Sequence, residues 1–139
     1  MSSPAVYEFL DLPVGELPAT ERMLLAAMRG WVHALTMGAD PAGAALSAFA
    51  AHPLAAALFD RLMRALDSGS DEPMTFQRPC HAQVEDVEAV LLALWARAAD
   101  RAATAAALAL MVDAEAAAEV ARGMARVAEL LSLAPAPRG

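Results

Sequence analysis

Cys80 and His81 are neighbours in a stretch without helical or strand periodicity, and they are the one local pair in this chain with reactive potential. A thiol acts as a nucleophile or redox centre in its thiolate form, which requires an electropositive setting. Arg78 and the N-terminus of the following helix contribute positive potential, whereas Glu85, Asp86 and Glu88 oppose it. The competing reading is packing, with Pro79-Cys80 tucking a small apolar thiol beneath a loop, and it is the preferred one. Arg78, Cys80 and His81 nevertheless define the candidate reactive or ligand-binding loop.

Other chemistries lack their residue patterns. A structural zinc site draws four ligands at recognisable spacing, and Cys80, His81, His33 and His52 offer neither CxxC nor HxxxH. No GxSxG elbow, cysteine-protease signature, P-loop or dinucleotide fingerprint is present. Glu85 and Asp86, adjacent on a helix, point to different faces and act as dipole partners rather than an acid–base pair. His33 reads as solvated on a polar helix face, and His52, before Pro53, as a loop or cap residue. No catalytic residue, metal site or cofactor is expected, and the chain is read as not an enzyme.

The elements that would position these residues are helices. Thirty-seven of 139 residues are alanine, and Lys, Asn and Ile are absent, the bias of a G/C-rich genome such as that of a high-GC bacterium. Alanine has the strongest intrinsic helix propensity. The composition therefore predicts an all-α protein strongly and a particular function hardly at all. Alanine is the largest single part of the 58% hydrophobic content, and aromatics are only 5%. A thin core follows, with close helix contacts over alanine faces and the eight methionines filling gaps.

Periodicity predicts a compact bundle of five to six helices at about 18–37, 41–50, 53–67, 84–99, 102–111 and 114–132. Leu24, Met28, Trp31 and Leu35 share one face of the first, with Arg22, Arg29, His33 and Thr36 opposite, and Gly38 stops it. Asp40 with Pro41 starts the second, and Pro53 separates it from the third, whose row is Leu54, Leu58, Leu62 and Leu66. Val84, Val87, Leu91, Leu94 and Ala98 stripe the fourth. Asp100 marks the joint before the fifth. Asp113 caps the sixth, whose stripe is Val120, Met124, Val127 and Leu131 and whose outer face pairs Glu119 with Arg122. A single helical domain at 18–132 is thus flanked by an apolar N-terminal arm at 1–17 and a flexible tail at 133–139. An irregular loop at 68–83 interrupts it, long enough to be the special region of the chain.

A net charge of −7 repels phosphate backbones, so nucleic acid is not an expected partner. No basic n-region with a long apolar run opens the chain, and no uninterrupted stretch reaches the roughly 20 apolar residues of a membrane span. A cytoplasmic protein is expected, and the single cysteine suits a reducing compartment. The leading functional expectation is a small helical interaction or regulatory adaptor protein without catalytic activity, binding a protein partner or itself as a homodimer. Tyr7, Phe9 and Leu10 of the arm are the candidate interaction residues, and Trp31 joins them if it is exposed, since aromatic anchors dominate interfaces. Burial, with its indole N–H bonded, is the default for Trp31 and Trp95. The alternative is a small-molecule or redox sensor built on the 68–83 loop and Cys80.

Overall fold

A computed structural model describes residues 6–70 and 75–133. The chain is all-α, with helices α1 (Val6–Phe9), α2 (Ala19–Thr36), α3 (Pro41–Ala48), α4 (Pro53–Gly69), α5 (Asp86–Ala96), α6 (Arg101–Leu108) and α7 (Ala114–Leu133). The remainder of the expected arm (1–5), of the irregular loop (71–74) and of the tail (134–139) lies outside the described residues.

Local chemistry sets the helix ends. Asp40, Asp100 and Asp113 each accept a backbone N–H of the first turn, from Ala42, Ala103 and Ala116 at 3.1, 3.1 and 2.8 Å. These bonds satisfy donors that an α-helix leaves orphaned. Gly38, at φ +73°, closes α2. Its own N–H bonds Leu35 O and the next N–H, of Ala39, returns to Ala34 O at 2.8 Å. That pair of bonds is the Schellman arrangement, which places a left-handed residue where glycine carries no Cβ penalty.

Helix α5 is the central element. Leu91 through Trp95 are consecutively buried, so apolar neighbours surround it instead of lining one face. An aromatic row links it to the other helices, Phe49 to Phe59 at 5.0 Å between ring centroids and Phe59 to Trp95 at 6.2 Å. The longest interface joins α4 and α7, and small residues set its spacing. A Cβ on Gly69 would overlap that of Ala116, and one on Gly123 would sit 2.9 Å from Leu62 Cβ. Both glycines are therefore points of close helix approach.

The predicted stripes hold at helix centres and drift at their ends. Leu62 and Leu66 are buried, Leu58 is partly buried and Leu54 is exposed. A strict i, i+4 row turns by roughly 40° per step around a 3.6-residue helix, so its first member leaves the core, and Ala55, Ala56 and Phe59 fill that end of the face. Leu35 at the end of α2 is exposed likewise. Arg29 departs from its expected place on the polar face of α2. It is only 1% exposed, drawn inward by an acidic partner distant in sequence.

Candidate functional site

The 75–85 segment has no helix or strand, yet it is tied to the body at many points. Arg29 of α2 reaches under it and forms a fork with Glu88, Nε to Oε2 at 2.7 Å and Nη2 to Oε1 at 2.8 Å. The same guanidinium donates to His81 O at 2.8 Å and Gln83 O at 2.7 Å. Glu88 is 0% exposed and accepts two further bonds, from Gln77 N at 2.9 Å and Glu85 N at 3.0 Å. The last is the reaching-back half of a capping box at the start of α5. Two side chains thus satisfy four backbone groups of a segment that lacks a regular ladder of its own.

Burial is the largest influence on the Glu88 carboxyl and pushes its pKa up. It is outweighed by the hydrogen bond from Arg29, those from the Glu85 and Gln77 backbone, and the guanidinium charge, which together hold the carboxyl below its ordinary value. The pair is sealed from solvent and bonded on all sides. Its role is to hold the loop in place.

From the outside, the arm holds the same segment. Asp11 N donates to Val84 O, Val84 N to Leu12 O, and Val14 N to Ala82 O, at 2.8–2.9 Å, around an antiparallel bridge between Pro13 and Gln83. Asp11 takes φ +62° to enter this pairing. Arm and loop, which the sequence presents as separate features, form one strapped unit.

The candidate loop residues fall together in a single turn, closed by His81 N donating to Arg78 O at 2.9 Å. Cys80 is exposed at its tip. His81 turns Nε2 toward Glu85 Oε2 at 2.9 Å, which makes Glu85, not Cys80, its side-chain partner. Arg78 is exposed, with no side-chain hydrogen bond or ion pair among the described residues. No group of three His, Cys, Asp or Glu among the described residues is arranged to hold a metal ion.

The candidate interaction residues divide. Tyr7 is 79% exposed, and Leu10 is partly buried. Phe9 and Trp31 belong to the chain's own core, so neither side chain is open to a partner; for Trp31 this is the default expected of a stripe tryptophan, whereas Phe9 leaves the set of arm candidates. Phe9 is buried because α1 lies against α5. Trp31 is buried with its indole N–H donating to Asp60 Oδ1 at 2.8 Å, and Asp60 also takes Arg64 Nε at 2.9 Å. The anchoring chemistry of Trp31 is spent within the fold.

An apolar groove that the sequence reading missed opens beside the arm. It encloses about 380 Å³ between α1, α5 and the end of α6, with Val6, Val90, Leu94, Ala107, Leu110 and Met111 in its walls and Arg97 at its edge. Leu110 is 90% exposed. The sequence places it inside a helix at 102–111. The helix ends at Leu108, and Leu110 stands in the turn that follows. The expected Glu119–Arg122 pair is not formed either. Arg126 pairs with Glu129 at 2.7 Å, leaving Arg122 without an acidic partner among the described residues. No helix among the described residues is long and apolar enough to cross a membrane. No family model, curated protein or solved structure matches this chain.

Proposed function

We propose that this is a non-catalytic helical interaction protein of the cytoplasm that associates with a second copy of itself through the groove beside the arm. The observation that carries the reading is Leu110. A leucine left in water beside an apolar hollow forgoes about 1.5–3 kcal/mol of burial free energy. A two-fold mate removes that cost on both sides, because each copy offers the same protruding side chain and the same hollow. Val6 and Met111 extend the apolar contact, and Tyr7 adds an aromatic surface on the same arm. The net charge of −7 opposes association of two copies over long range, so salt should strengthen the dimer by screening.

Light scattering at tens of micromolar tests this reading. Twice the chain mass is expected for the wild type, with a dimer fraction that grows with salt, and the single-chain mass is expected for Leu110→Glu. A wild type that stays at single-chain mass across concentration and salt overturns it.

A sensor built on the 68–83 loop is the second reading, supported by the exposed thiol of Cys80 beside the Arg29-held carbonyl of His81. Modification at Cys80 would then loosen the strapped loop. Cys80→Ser should abolish an oxidant-dependent change in loop protection while leaving helicity intact, and equal behaviour of the two proteins removes this reading.

A further inference from the structure

The arginines of this acidic protein are unevenly placed. An open cleft of about 670 Å³ lies between the end of α5, the start of α6 and the last turns of α7. Its wall includes Trp95, Arg101, Arg122, Arg126, Glu129 and Ser132. Three guanidinium groups therefore face one carboxylate in a chain whose net charge is −7. Arg126 is matched by Glu129. Arg101 and Arg122 have no hydrogen-bond or ion-pair partner among the described residues. Like charges at Arg122 and Arg126, four apart on one helix face, repel one another unless an anion is shared. The adjoining smaller hollow brings Arg61 and Glu119 to the same face.

Trp95 supplies the second observation. It is nine-tenths buried and stacks on Phe59, and its indole N–H is the buried side-chain polar atom without a hydrogen-bond partner among the described residues. A buried donor without an acceptor costs about 1–3 kcal/mol. The cleft thus combines an aromatic and alanine wall with unpaired, fork-shaped cations, at a volume typical of small-molecule sites. Guanidinium groups match carboxylates and phosphates in two-point hydrogen bonding.

We infer that this cleft binds a small organic anion, with its carboxylate or phosphate held by Arg101 and Arg122 and its apolar body against the Trp95 wall. The site is separate from the groove around Leu110, and neither reading depends on the other.

Titration of the full-length protein with phenyl phosphate, followed by amide and indole NMR, tests the inference. The Trp95 indole resonance and the α7 amides around Arg122 should move, while the Trp31 indole, held by Asp60, stays as an internal reference. Arg101→Gln with Arg122→Gln should weaken binding about tenfold or more, as loss of charged hydrogen bonds implies. Both side chains are exposed, so helicity should be unchanged, and Arg78→Gln on the distant loop should bind like the wild type. Benzoate in place of phenyl phosphate distinguishes a carboxylate from a phosphate head. A motionless Trp95 indole, equal binding by neutral benzyl alcohol, equal binding by inorganic phosphate alone, or an unaffected double variant would each overturn the inference.

Discussion

Arg29 and Glu88 stand 59 residues apart in sequence and meet as a fully buried, two-point ion pair, with N–O distances of 2.7 and 2.8 Å. Between them they also bond the backbone of Gln77, His81, Gln83 and Glu85. Removing one member strands a charge and two backbone groups together. Arg29→Met is therefore expected to cost about 3–5 kcal/mol, the range for breaking a buried pair from one side. Buried pairs can often be replaced by apolar residues without loss, but here the double variant Arg29→Met with Glu88→Leu leaves four backbone groups unbonded. It should remain well below wild type in a urea titration. Recovery to wild-type stability would mean that the loop backbone finds other partners.

The same pair makes stability depend on acid. The folded pKa of Glu88 lies below its ordinary 4.5. A depressed carboxylate contributes stability that is fully present above the unfolded pKa and is lost as pH falls through the folded one. Glu88→Gln removes that contribution. The gap in unfolding free energy between wild type and Glu88→Gln should be constant from neutrality down to the ordinary carboxylate range and narrow as pH falls below 4.5. A gap that does not change with pH would show that the hydrogen bonds alone, and not the charge, matter at this position.

Two glycines in helix interiors should respond to alanine with opposite signs. Nothing lies within 4 Å of a Cβ built on Gly30, so Gly30→Ala should stabilise by about 0.5–1 kcal/mol through helix propensity and unfolded-state entropy. Gly123→Ala places its methyl 2.9 Å from Leu62 Cβ and should destabilise by about 1–3 kcal/mol as α7 is forced from α4. Thermal unfolding of the two variants side by side checks the difference. Melting shifts of the same sign would mean that α7 yields to the added methyl without loss of packing against α4.

Deleting residues 1–16 tests whether the arm is a separable interaction element. Phe9 is a core residue, and Asp11 to Val14 pair with Ala82 to Val84. The deletion should therefore expose Arg29 and Glu88 and speed amide exchange at Val84, whose N–H donates to Leu12 O, in addition to changing any association. Tyr7→Ser, which alters only an exposed side chain, should leave exchange at that amide as in the wild type. Protection of Val84 in the deleted chain would show that the loop holds without its strap.

Sequence alone determined what depends on neighbours within a few residues. The caps at Asp40 and Asp113, the joint at Asp100, the stop at Gly38 and the break before Pro53 are each decided by one residue and the backbone next to it, while the all-α class and the approximate helix bounds follow from composition and local period. Stripe centres such as Met28, Leu62 and Met124 follow from a 3.6-residue period for the same reason. Tertiary structure decided what depends on distant partners. Arg29 reads as solvated until α5 delivers Glu88, and Phe9 reads as available until α5 covers it. Leu110 reads as helical until the helix ends two residues before it. Periodicity states which side of a helix is apolar, but not which neighbour arrives to cover it, and charges that pair across 59 residues leave no mark in any local window.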